Sequence, residues 1–109
     1  MRKISSITFA AVVAAAVTPA FAGEYDDLCQ SMATYAESVM KLRQVGVPMG
    51  ELLKIIKKNK NGAASIKSRE IVILAYAQPH YLTLQVQRRT ISDFRDQIHV
   101  SCLSGAASE

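Results

Sequence analysis

Cys29 and Cys102 are the only cysteines in this chain of 109 residues, and they lie far apart in it. Bonded to each other, they close a loop of 74 residues, from 29 through 102. The two ends of whatever folds between them must then be neighbours, with Cα atoms about 5–6 Å apart. In the chain-entropy view such a closure restricts the unfolded chain by roughly 4 kcal/mol. The alternatives are a bridge to another chain or a metal site, but two cysteines this far apart do not have metal-ligand spacing. An even cysteine count reads as a disulfide only in an oxidising compartment, so the compartment is the next question.

The first 22 residues address it. Arg2 and Lys3 form a short cationic start, and Ile4 to Val17 follows as an uncharged stretch rich in alanine and valine. Thr18 and Pro19 are expected to break that helix. Ala20-Phe21-Ala22 then places small residues at the two positions a signal peptidase reads. This is the layout of a secretory signal peptide cleaved after Ala22. The competing reading, an N-terminal membrane anchor, suffers because Ala, Ser and Thr make the run weakly hydrophobic and no apolar flank extends it. No cysteine follows the cleavage site directly, which argues against a lipid-modified terminus. The expected organisation is a signal peptide, 1–22, and a single domain, 23–109, in the periplasm or outside the cell.

Without Arg2 and Lys3 the remainder carries 11 Lys+Arg against 9 Asp+Glu, a net charge of +2. Nucleic-acid binders show a larger and better clustered basic excess, so no nucleic-acid partner is expected. A domain of 87 residues builds only a thin core, which a covalent staple would help.

Hydropathy patterning points to helices. Residues 26–45 read as an amphipathic helix capped by Asp26 or Asp27, with Leu28, Cys29, Met32, Tyr35, Ala36, Val39 and Met40 on its apolar face and Gln44 on the polar one. Gly46 supplies its stop, and Pro48 is suited to the first position of a second helix over 48–59. Residues 65–78 contain the uninterrupted apolar run Ile71–Ala77, with Ser65 or Ser68 as cap. Such a run is either a buried helix or a buried strand. The alternation of Tyr81 to Gln87 keeps a hairpin over 71–87 open, but no third strand is visible and a lone hairpin is marginal, so the helix is favoured. A last helix over about 83–103 follows from Ile91, Phe94, Ile98 and Cys102 at i, i+3, i+7 and i+11, with a frayed tail from Ser104. The expected fold class is all-α: a compact four-helix domain in which the disulfide staples an antiparallel first and last helix.

The chemistry on offer is sparse. His80 and His99 are the only histidines, and Cys102, three residues after His99, is spent if the disulfide forms. No serine resembles a nucleophile elbow, and no glycine-rich loop is placed to cradle phosphate. Glu37, Glu51, Glu70, Asp93 and Asp96 each have a Lys or Arg nearby and read as surface ion pairs. An enzyme, a cofactor and a metal centre are therefore not expected. The feature most open to a functional reading is Lys54, Lys57, Lys58 and Lys60, followed by Lys67 and Arg69, beside Leu52, Leu53, Ile55 and Ile56. A basic amphipathic helix suits an acidic partner or an anionic membrane surface; its plainer reading is a solvated face. Tyr76 and Tyr81, either side of Pro79, are candidate contact residues.

Cys29 opening the first helix, Arg43-Gln44-Val45-Gly46 closing it, Ala75-Tyr76 before Pro79, and Ile91-Ser92-Asp93-Phe94 leading to Cys102 form a set. On these residues the chain resembles small exported proteins of proteobacteria and their prophages, which have no established function. The resemblance covers nearly all of 23–109 and implies the fold and the disulfide. Where such proteins show a Ser or Thr cap before the second helix, this chain has Val47-Pro48. Taken together, the expectation is a small periplasmic binding protein, an inhibitor or adaptor of another envelope protein. The alternatives are a holdase-type stress chaperone and a peripheral binder of anionic membrane.

Overall fold

The structure is a computed structural model that describes the backbone of residues 9–59 and 62–108, with side chains from Gly23 to Gly105 apart from Lys60, Asn61 and Ala63. Four α-helices make up the described chain: α1 (Phe9–Val45), α2 (Met49–Lys58), α3 (Gly62–Tyr76) and α4 (Leu84–Ser108). The all-α expectation holds. The hairpin alternative fails, since residues 71–76 finish α3, 77–83 form a loop, and no strand occurs among the described residues.

Helix boundaries depart from the sequence reading in several places. The segment read as a signal peptide is described only from Phe9, and from there the helix runs on through Pro19 to Val45 without the expected break. A proline removes one intrahelical donor, and here alanines, the best helix formers, surround it and carry the helix past it. Asp26 and Asp27 consequently lie inside α1 and cap nothing. Pro48 is the residue before α2, not its first residue, with φ −65° and ψ 143°. α3 begins at Gly62, so Ser65 sits within it and donates to the carbonyl of Asn59 (3.2 Å) instead of capping. α4 continues past Ser104.

The stop at Gly46 holds, with a clear cause. Its φ is +96°, a conformation glycine reaches without steric cost. The N–H of Gly46 bonds the carbonyl of Arg43 (3.1 Å) and that of Val47 bonds Leu42 (3.0 Å). This is the paired pattern of a Schellman terminus, which satisfies two of the last carbonyls of α1.

α1 is the spine. α4 packs along it, α3 along another side, and α2 rests chiefly on α3. α4 runs antiparallel to α1: Cys29 is bonded to Cys102 with Cα atoms 5.5 Å apart, Arg95 lies 3.9 Å from Glu37, and Gln44 meets the loop just before α4. The core consists of Ala36, Val39 and Met40 from α1, Leu52 from α2, Ile71, Val72 and Ala75 from α3, and Phe94 and Ile98 from α4. The expected Phe94–Ile98 stripe thus packs inward. On α1 the buried line is Cys29, Ala33, Ala36, Met40 and Gln44, spaced by four, three, four and four. Leu28, expected inside, is 54% exposed, and Gln44, expected outside, is 2% exposed. The apolar run in α3 is only half used: Ile71, Val72 and Ala75 are buried, whereas Ile73 and Leu74 face solvent. A helix packed on one side against α1 and α2 buries one stripe, however apolar its other residues are.

Candidate functional site

The lysine segment divides between two faces of α2. Lys54 and Lys57 line an open groove of about 620 Å³ between α2 and α3, with Arg69 on the facing wall and Leu53, Ile56 and Ile66 as apolar lining. Lys58 points to the other side, into a groove of about 570 Å³ shared with Tyr35 and Ser68. Lys60 lies outside the described residues. Lys54 forms a loose pair with Glu51 (3.7 Å) one turn earlier, and Lys67 with Glu70 (3.6 Å). Among the described residues, no carboxylate lies within ion-pair distance of Lys57 or Arg69. The groove therefore has an apolar interior and a cationic rim with uncompensated charge.

A second arrangement had no signal in the lysine pattern. At the end of α1, Arg43 donates from Nε (3.1 Å) and Nη2 (3.0 Å) to the carbonyl of Gln78. The buried Gln44 donates from Nε2 to the carbonyl of Pro79 (2.9 Å) and accepts the N–H of Tyr81 on Oε1 (2.9 Å). From α4, Gln87 Nε2 donates to the carbonyl of Tyr81 (2.6 Å). The Arg43 guanidinium lies over the Tyr76 ring, 5.2 Å from its centroid, and the Tyr76 hydroxyl donates to the carbonyl of Val47. Burial raises the Tyr76 phenol above its ordinary pKa of 10.0, with Arg43 pulling the other way. Thr83 caps α4, its Oγ1 accepting from Val86 N–H (3.4 Å) and its carbonyl from Gln87 N–H (3.0 Å). The loop between α3 and α4 is thus held from behind by side chains of α1 and α4, while Leu82 at its tip is 90% exposed. Arg43, Gln44, Gly46, Tyr76 and Pro79, separate motifs in the sequence, converge here. Gln44 was detectable: it continues the four-residue spacing of Ala36 and Met40, and a glutamine on an apolar stripe calls for partners.

At the opposite end, Cys29 is fully buried and Cys102 partly so. The Tyr25 hydroxyl donates to the carbonyl of Cys102 (2.9 Å), and Met32 Sδ lies 3.6 Å from Cys102 Sγ. Beside them α3 and α4 diverge over α1 and leave an apolar groove of about 790 Å³ containing Leu28, Met32, Tyr35 and Ile71.

Catalytic geometry is sparse. Both cysteines are in the disulfide, so Cys102 is no ligand beside His99. Glu37 pairs with Lys41 (3.4 Å) and Arg95, and Asp96 with Arg95 (3.0 Å), all at the surface. Among the described residues no three His, Cys, Asp or Glu side chains gather where they could hold a metal, and no helix is long and apolar enough to cross a membrane. Comparison with protein-family models, curated proteins and solved structures finds no match to this chain.

Proposed function

We propose that this chain is an exported, non-enzymatic binding protein, an inhibitor or adaptor that holds an acidic and partly apolar segment of another envelope protein. The observation that carries the reading is the α2–α3 groove, where Leu53, Ile56 and Ile66 stand open beside Lys54, Lys57 and Arg69. Apolar contact gives such a surface its affinity, and Lys57 and Arg69, which have no carboxylate within ion-pair distance among the described residues, select an acidic partner. A periplasmic setting agrees with the signal layout of residues 1–22 and with the disulfide, which persists in oxidising compartments. A holdase-type chaperone is the second reading, favoured by exposed aliphatic side chains on several elements, including Ile55, Ile66, Leu74 and Val100.

The test is to express the full chain with its own N-terminus and a C-terminal tag, cross-link in intact cells, and identify what co-purifies. One stoichiometric envelope protein, lost when Lys57 and Arg69 are both changed to Glu, supports the binding protein. A broad set of unrelated clients moves the reading to the chaperone. Lipid alone, or nothing, removes the leading reading.

A further inference from the structure

We propose that the loop between α3 and α4 is a membrane-docking tip that inserts Leu82 into the surface of an anionic bilayer. This site is separate from the α2–α3 groove and does not depend on it. Leu82 is 90% exposed, on a loop whose neighbouring carbonyls at Gln78, Pro79 and Tyr81 are already bonded by Arg43, Gln44 and Gln87. An apolar side chain held this far into water on an ordered backbone stabilises nothing within the chain. Two further exposed aliphatics flank it: Val45, at the last residue of α1 (73% exposed), and Leu84, at the first residue of α4 (64% exposed).

The charge around them selects the occupant. Residues 38–50 and 71–92, which build this end of the molecule, contain no Asp or Glu, but they contain Lys41, Arg43, Arg88 and Arg89. Lys41 is paired with Glu37, just outside this region, and Asp93 is the next acid along α4, so the exposed charge facing the loop is that of Arg88 and Arg89. The nearest acid beyond them on α2, Glu51, is engaged with Lys54. Arg88 and Arg89 are exposed, and helical side chains lean toward their helix's N-terminus, so both lean toward the loop. A second copy of the chain would bring like charges together; an anionic lipid surface would not. Apolar side chains that enter the headgroup boundary, ringed by cations that meet lipid phosphates, are the makeup of a peripheral membrane contact. Fixing the loop beforehand lowers the ordering cost of insertion.

The chain has no tryptophan, so Leu82→Trp places a single reporter at the tip. The protein to use is the form recovered from the periplasmic fraction of cells expressing the full chain. Its partition is measured onto vesicles of phosphatidylglycerol mixed with phosphatidylcholine, and onto phosphatidylcholine alone. The expected result is a blue shift of the introduced tryptophan's emission on the anionic vesicles only, weakened by salt. Leu82→Asp should lower partition of the otherwise unaltered protein by about tenfold or more. Arg88→Gln and Arg89→Gln should each lower it about fivefold, and Lys57→Glu should leave it unchanged. Three outcomes overturn the proposal: no partition, partition without a blue shift, and partition lost through Lys57→Glu but not Leu82→Asp. The last would place the lipid contact on α2, and circular dichroism checks that each variant is folded.

Discussion

The two ends of the α1–α4 pair are secured by different chemistry. At one end a covalent bond joins Cys29 to Cys102, with a hydrogen bond from the Tyr25 hydroxyl beside it. At the other, Arg43, Gln44 and Gln87 fix a loop through five side-chain contacts to its backbone, and nothing covalent is involved. A disulfide acts mainly by restricting the unfolded chain and says little about local shape. Hydrogen bonds from a buried glutamine contribute less to global stability but specify where each backbone group points. The covalent end tolerates an open apolar groove next to it, whereas the polar end holds an ordered loop whose apolar tip stands in water. Stability is concentrated at the first end and a defined surface at the second.

The sharpest way to break this comparison is to replace both cysteines with alanine. Thermal or urea unfolding should show a loss of up to roughly 4 kcal/mol, with amide exchange accelerating around Ser101 and leaving Tyr81 protected. Gln44→Ala should cost about 2 kcal/mol, because it strands a carbonyl and an N–H of the loop without partners, and exchange at Tyr81 should rise while the disulfide end is unmoved. If instead both variants loosened both ends equally, the division of labour would be wrong.

Smaller changes sharpen it. Tyr76→Phe removes the bond to the Val47 carbonyl and should cost about 1 kcal/mol. It also tests the phenol's raised pKa. The folded chain holds that proton more tightly than the unfolded one, so the associated stability is complete below pH 10 and is lost as pH rises through the folded value. The variant should lose less stability than the parent on going from about pH 9 to about pH 11. Gly46→Ala forces a side chain into a left-handed conformation and should also cost about 1 kcal/mol, although nothing lies within 4 Å of the added carbon. Glu37→Gln, which removes exposed pairs with Lys41 and Arg95, should change stability by less than about 0.5 kcal/mol.

The same contrast accounts for what the sequence revealed. The cysteine pair and the Phe94–Ile98 spacing were legible because each is a pattern within one element or a simple count. Leu28 and Gln44 were misplaced because α1 carries two adjacent apolar stripes, and which one packs inward is decided by where α3 and α4 lie. The apolar run of α3 showed that residues 71–77 were helical or extended, yet could not show that Ile73 and Leu74 face water. The helix starts expected at Asp26 and Ser65 were misplaced because good capping residues also occur inside helices when neighbouring propensity is strong. For the candidate site, Lys54 and Lys57 were readable as one basic face, but their groove with Arg69 depends on how α2 meets α3. Of the loop clamp, only Gln44 was marked, by its place on the buried stripe of α1; the groups that it and Arg43 bond lie 35 to 37 positions away, with no periodicity to mark them.

Amide exchange at two neighbouring residues, followed by NMR on the disulfide-bonded protein, tests the central claim most directly. Tyr81 N–H is bonded to the buried Gln44, whereas His80 is exposed in the same loop with no bond to its N–H among the described residues. A fixed loop predicts strong protection at Tyr81 that Gln44→Ala abolishes, next to fast exchange at His80. Equally fast exchange at both residues in the unaltered protein would contradict it, and would leave Leu82 on a segment with no defined shape to present.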